Sequence, residues 1–233
     1  MQNNEIKHIA FIPDGNGRWA KQNGLQPISG YTAGASAVLR AIESAVELQI
    51  PYLTFYAFSS ENFKRAPSEV RGILFAITEF LETSLLPLVK TKNIKVVFVG
   101  NLSLLPPELL AIISKVNSAG LNNSGTTVAI AIAYGGQEEI TNAVNRIFKT
   151  KFELGDDSLI TYNDIKSALY TACLPDPDLV IRYGSQKRLS NFMPLQTVYS
   201  ELMFWTKLWP DFDKSDLLIS LAEFSKIKRT FGE

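Results

Sequence analysis

DGNGRW, residues 14–19, sets a carboxylate, two glycines, an amide and a guanidinium side by side. That set can hold a phosphate. The glycines let the backbone approach a ligand closely and adopt positive φ, so successive N–H groups can converge on an anion at the start of a helix turn. Arg18 adds a permanently charged fork that matches phosphate oxygens. Asp14 would repel the same anion unless a cation lies between them, as when a carboxylate joins Mg²⁺ to a diphosphate. The competing reading is a plain strand-to-helix turn, since Asp-Gly and Asn-Gly are common turn dipeptides.

Two further clusters repeat the theme. SSENFKRAP (59–67) offers hydroxyls at Ser59 and Ser60, the Asn62 amide, the Glu61 carboxylate and Arg65; taken alone it would be a capped loop before a helix. RYGSQKRLSN (182–191) carries Arg182, Arg188 and Ser190, a clamp for a second diphosphate or else a solvated basic loop. Glu201 stands in the apolar segment YSELMF, where a carboxylate calls for a metal, an arginine or a neighbouring subunit. There is no GxxxxGK[ST] and no Rossmann glycine spacing, so nucleotide binding is unsupported.

Composition narrows the chemistry further. His8 is the only histidine, which excludes a two-histidine metal site, and its place at a strand start predicts a structural role. Cys173 is the only cysteine, so no disulfide forms within the chain and a reducing, cytoplasmic setting is expected. The apolar stretch SALYTACL around Cys173 predicts a thiol packed in the core. With 46% hydrophobic residues and 23 basic residues against 23 acidic ones, the 233-residue chain is globular. It has no general attraction to nucleic acid or acidic membrane. The N-terminus lacks signal-peptide architecture, and no uncharged apolar run approaches the roughly 18 residues of a spanning helix. Peripheral membrane contact stays open.

These side chains need a frame. Strand patterns fall at 6–12, 52–58, 94–100, 126–134, 178–184 and, more weakly, 200–205, alternating with helical patterns at 32–48, 68–86, 106–118, 136–148, 162–173 and 213–228. The alternation predicts an α/β fold: one domain over 1–233, with a mainly parallel sheet covered by helices. Ligands of such sheets sit beyond the carboxyl ends of the strands. DGNGR, SSENFKR and RYGSQKRLSN follow the first, second and fifth strands, so all three would meet at one edge. The helical stretch 68–89 carries an apolar stripe that Phe75 and Phe80 widen. It is either buried on two sides or packed on the sheet with one flank lining an apolar groove.

HIAFIPDGNGRWAKQNG, TFYAFSSENFKR, AIAYGGQEEI, DLVIRYGSQKRLSNF and YSELMFWTKLWPDF resemble the signature blocks of the cis-prenyltransferases, the undecaprenyl diphosphate synthase family, in order and spacing over nearly the whole chain. The resemblance implies a six-stranded mainly parallel sheet flanked by about six or seven helices. It also implies a homodimer, isoprenoid diphosphates as substrates, and a long helix lining a hydrophobic tunnel. By the same resemblance Asp14 is the magnesium-linked aspartate, and Gly15, Asn16, Gly17 and Arg18, with Trp19 beside them, grip the allylic diphosphate. Arg65 is a further phosphate ligand, and Ser59 and Asn62 lie near the reacting carbons. Arg182, Arg188 and Ser190 clamp isopentenyl diphosphate, and Glu201 is a metal-related acid of that second site. The activity implied is Mg²⁺-dependent prenyl transfer.

Departures from the family pattern cluster around the same residues. Pro13 replaces a methionine, Pro27 a basic residue, Tyr31 a histidine and Leu195 a tryptophan. The RTGGE block reads Arg182-Tyr183-Gly184-Ser185-Gln186, and the NYGGR block reads Ala133-Tyr134-Gly135-Gly136-Gln137. Together they predict less positive charge at the first diphosphate and an aromatic ring, Tyr31, near the reacting carbons. Ordinary cis elongation is the first expectation. Head-to-middle coupling of two dimethylallyl diphosphates, with or without cyclisation, is the second, and a non-catalytic subunit of a prenyltransferase complex is the third.

Overall fold

The computed structural model describes residues 5–230. Its six strands are β1 (His8–Ile12), β2 (Tyr52–Ser59), β3 (Lys95–Val99), β4 (Thr127–Tyr134), β5 (Leu179–Arg182) and β6 (Glu201–Phe204). They form one sheet in the order β3-β4-β2-β1-β5-β6. Every pair is parallel, so the expected mainly parallel sheet is parallel throughout. β1 lies between β2 and β5, with Phe11 opposite Phe55 and Ile12 opposite Arg182. This register brings the loops after β1, β2 and β5 to one carboxyl edge.

Seven helices surround the sheet in the described residues: α1 (Asn16–Gln22), α2 (Pro27–Glu47), α3 (Pro67–Thr91), α4 (Pro107–Ala119), α5 (Gly136–Leu154), α6 (Tyr162–Ala168) and α7 (Lys214–Phe224). Pro27, Pro67 and Pro107 open their helices, where a missing N–H costs nothing and the fixed φ is already helical. The apolar residues of β1 divide by the period of the pleat. Ile9 and Phe11 join the larger core, and Ala10 and Ile12 the smaller one on the opposite face. Phe11, Phe55, Tyr183, Trp209 and Phe212 pack ring to ring in the larger core. Tyr183, in the altered RTGGE block, is therefore a core residue.

α3 is long and apolar enough, by length and composition alone, to cross a bilayer. It instead buries Ile73, Ala76, Leu81, Leu85, Leu88 and Val89 inside the protein. A π turn at Leu81–Leu85 interrupts it just before Pro87, whose missing N–H cannot close an ordinary α-helical turn.

Several expectations need correction. Residues 16–22 extend the single helix turn expected after the glycine loop into a helix of seven residues. The helix expected over 162–173 ends at Ala168, and the one expected over 213–228 ends at Phe224. α5 runs six residues past its expected end at 148, to a left-handed Gly155 with φ 66°. Cys173 lies in the loop after α6 and is exposed, so its thiol is not a core group. His8 is structural as expected: fully buried, with Nε2 2.7 Å from Thr54 Oγ1 and Nδ1 2.7 Å from the Pro175 carbonyl. Burial pushes its pKa down to about 4, against the opposing effect of the Pro175 bond.

Candidate functional site

The carboxyl edge opens into a cleft of about 730 Å³ lined by the loops after β1, β2 and β5. Asp14 is at its centre. The Trp209 amide donates to the Asp14 carbonyl (3.1 Å) and fixes the backbone. Asp14 Oδ1 accepts from Arg18 Nη2 at 3.0 Å, and Oδ2 accepts from Arg182 Nη2 at 2.9 Å. One carboxylate thus ties the two halves of the cleft together.

On the α1 side, Gly15 precedes the helix with φ 110°, a conformation that side chains rarely adopt. The first N–H groups of α1 have no intrahelical acceptor and are available to an anion. Gly34 of α2 lies so close to the Asn16 side chain that a Cβ there would come within 2.4 Å of Asn16 Oδ1. That buried oxygen has no partner. Arg18 Nη1 donates to the Gly184 carbonyl at 2.7 Å, which aims the guanidinium into the cleft.

On the β5 side, Arg182 is 5% exposed and donates through Nη1 to Ser190 Oγ (2.7 Å) and to the Arg188 carbonyl. Ser185, Ser190, Asn191 and Met193 all have positive φ, so this loop holds strained backbone around the cleft. Tyr56 reaches across from β2, its hydroxyl donating to the Tyr134 carbonyl at 3.1 Å.

The β2 side is a turn at Ser60–Lys64 closed by a capping box. The Ser59 amide donates to Asn62 Oδ1 (3.1 Å), and the Glu61 amide donates to Ser59 Oγ (3.2 Å). Glu61 also accepts from the Ser59 hydroxyl and from Asn191 Nδ2 (2.6 Å). Burial pushes the Glu61 carboxyl up, but these bonds outweigh it and leave the pKa below the ordinary value. Arg65 Nη1 donates to Glu69 Oε1 at 2.8 Å, and the Tyr31 hydroxyl donates to the same oxygen at 2.9 Å. Burial, together with the Glu69 carboxylate, raises Tyr31 to about 12.

Behind the cleft lies an apolar pocket of about 70 Å³, with walls that include Val38, Phe55, Ile77, Phe80 and Trp209. Phe80 therefore supplies the groove-lining flank of α3, whereas Phe75 is 61% exposed. The groove reading of this helix holds for Phe80 and fails for Phe75.

The cleft brings together Asp14, Gly15, Asn16, Gly17, Arg18, Tyr31, Ser59, Asn62, Arg65, Arg182, Arg188 and Ser190. Two expected residues stand elsewhere. Trp19 is on another face of α1, where its Nε1 donates to Asp211 (2.7 Å), so it braces the helix and does not line the cleft. Glu201 begins β6 opposite Leu179, while Phe204 pairs with Arg182. Three residues of strand separate it from the site edge, and it does not join the cleft of its own chain. Pro27 is also outside the cleft, so the charge expected to be lost there is not a loss from the lining. Sequence reasoning left Glu69 and Asn191 without roles. Glu69 sits four residues after Arg65, a helical pairing distance that could have found it; Asn191 is placed only by the loop.

Arginines from two sides of a cleft meet at one carboxylate at the carboxyl edge of a parallel sheet, with an apolar pocket behind. That fold and site define a prenyltransferase of the cis type. Residues 12–232 match the family model for undecaprenyl diphosphate synthases, and the chain belongs to that family. It is 40% identical to the isoprenyl transferase of Rickettsia sibirica over 228 residues, which cover 98% of both chains. It is 41% identical to that of Staphylococcus saprophyticus over 229 residues, 97% of this chain and 89% of that one. The crystal structure of lavandulyl diphosphate synthase from Lavandula x intermedia, in complex with dimethylallyl diphosphate, superposes with a TM-score of 0.95 and 34% identity over 100% of both chains.

Proposed function

We propose that this enzyme joins an allylic isoprenoid diphosphate to isopentenyl diphosphate and releases inorganic diphosphate. The observation that carries the reading is the pair of anion positions, Arg18 with Arg65 and Arg182 with Arg188 and Ser190, meeting at Asp14 above an apolar pocket. Asp14 suits a Mg²⁺ that arrives with the diphosphate. Among the described residues no group of three or more His, Cys, Asp or Glu could hold a resident ion, and Mg²⁺ is ordinarily bound by one or two carboxylates plus substrate phosphates. Such an ion would neutralise charge on the departing diphosphate.

The chain's own residues do the rest. Arg18, Arg65 and the α1 amides orient the allylic diphosphate so that its tail enters the pocket and its C–O bond breaks toward positive charge. Arg182, Arg188 and Ser190 hold the second diphosphate with its double bond facing the allylic carbon. A new C–C bond forms and a proton leaves that double bond's unit. Ser59 is suited to relay that proton, accepting it on Oγ as its own hydroxyl proton passes to the Glu61 carboxylate, with Asn62 fixing its backbone. The apolar wall excludes water from the cationic carbon.

Head-to-middle coupling of two dimethylallyl diphosphates is the second reading. The small pocket and the close superposition on lavandulyl diphosphate synthase favour it. Mass spectrometry of products from dimethylallyl diphosphate alone, and from isopentenyl diphosphate paired with C5, C10 or C15 allylic diphosphates, separates the two. Product only in the paired reactions supports elongation. Product from dimethylallyl diphosphate alone replaces elongation with the second reading, and no product in any reaction overturns both. The exposed Val198 just before β6 and Leu202 on β6, the last strand of the sheet, support a homodimer, which light scattering would register. The exposed free thiol of Cys173 suits a reducing, cytoplasmic setting.

A further inference from the structure

The cleft and the apolar pocket meet at a waist formed by Pro13, Asn16, Tyr31, Ala57 and Ile73, which line both. Four of these are fixed by a strand end, by α1 or by the core. Tyr31 alone is tied across the seam between two helices: its hydroxyl, on α2, donates to Glu69 Oε1 in the first turns of α3 at 2.9 Å. We propose that the Tyr31–Glu69 bond is a gate that limits the tail length of the allylic diphosphate this enzyme accepts.

The inference deepens the prenyl-transfer reading and rests on it. A cavity of about 150 Å³ takes benzene, so the roughly 70 Å³ beyond the waist admits little more than the end of one five-carbon unit. A longer tail needs α2 and α3 to part above Ile73, and the Tyr31–Glu69 bond resists that movement. The bond persists across working pH because Tyr31, held near 12, keeps its proton, while the bonds from Tyr31 and Arg65 hold Glu69 below the ordinary carboxylate value. Glu69 also accepts from Arg65 at 2.8 Å, so changing Glu69 would disturb the diphosphate clamp as well. Tyr31 is the position to change.

The test compares wild type, Tyr31→Phe and Tyr31→Ala. Non-reactive thiolo analogues of dimethylallyl, geranyl and farnesyl diphosphate are titrated by calorimetry, and kcat/KM is measured for the corresponding substrates with isopentenyl diphosphate. The wild type should bind the C5 analogue and discriminate against C10 and C15. Loss of one charge-assisted hydrogen bond predicts a rise of about tenfold in the C10-to-C5 ratio for Tyr31→Phe, with a larger rise for Tyr31→Ala. The KM for isopentenyl diphosphate should not move. Analogues that bind with a ratio unchanged in Tyr31→Phe overturn the gate and leave the prenyl-transfer reading standing. Absence of binding by every analogue to the wild type overturns that reading and the gate with it. Tyr31→Phe removes a single oxygen, so it decides the matter even if Tyr31→Ala fails to fold.

Discussion

The proposed function has Asp14 competing with a diphosphate for two arginines, and the variant Asp14→Asn should expose that competition. The carboxylate bonds Arg18 at 3.0 Å and Arg182 at 2.9 Å. The Arg18 pair is solvent-screened, with side chains 44% and 29% exposed, and contributes about 0.2–1 kcal/mol. The Arg182 side chain is only 5% exposed, so its charge-assisted bond is worth roughly 1.5–3 kcal/mol. An anion entering without metal must displace these bonds and face the carboxylate's charge. Asparagine keeps the shape and removes the charge. Inorganic diphosphate should therefore bind Asp14→Asn more tightly in EDTA, by about 2 kcal/mol or roughly thirtyfold in Kd. In excess Mg²⁺ the order should reverse, since only the wild type offers the ion a carboxylate at position 14. Arg182 retains Ser190 and the Arg188 carbonyl, so the fold should survive. Isothermal titration of diphosphate into both proteins, in EDTA and in Mg²⁺, measures all four affinities. Equal or weaker binding by the variant in EDTA would refute the idea that Asp14 occupies the anion positions.

Two further perturbations test the frame. His8 is neutral when folded, with a pKa near 4 against 6.5 unfolded. Its contribution is complete above pH 6.5 and is lost as pH falls toward 4, by about 3 kcal/mol. Urea midpoints measured from pH 7 to 4 should fall less steeply in His8→Gln than in wild type, and parallel curves would contradict this. Gly184 has φ 84°, and a Cβ there would lie 2.5 Å from Arg18 Nη2 and 3.0 Å from the Asp14 carbonyl. Gly184→Ala should cost about 1–3 kcal/mol of stability and displace Arg18, raising the KM for the allylic diphosphate. A variant with unchanged melting and KM would refute this.

Much of the fold could be read from the chain because its local signals are strong. Each strand is a short apolar run ended by polar residues, and all six appear where the patterns put them, within two residues. Helix ends were less legible at 162–173 and 213–228. An apolar run does not say whether its last residues stay helical or turn, as the surface position of Cys173 shows. Most cleft residues could be found because they lie at or after strand ends, whereas Tyr31, on α2, was reached only through the family resemblance. Trp19 and Glu201 could not be sorted the same way. A residue beside a motif can face away from it, and one register position along β6 decides which end of the strand a carboxylate occupies.

By itself, the sequence determined the chemistry on offer. It carries one histidine and one cysteine, a glycine-rich loop with Asp14 and Arg18, and arginines after three strands. That inventory excludes two-histidine metal sites and points to diphosphates. Only the tertiary structure decided that Asp14 holds arginines from both halves of the cleft, that Tyr31 closes a waist against Glu69, and that the apolar pocket behind is small. Apart from the local Asp14–Arg18 pair, those facts depend on contacts between residues tens to more than a hundred positions apart, which the packing of helices on a shared sheet sets and no local pattern encodes.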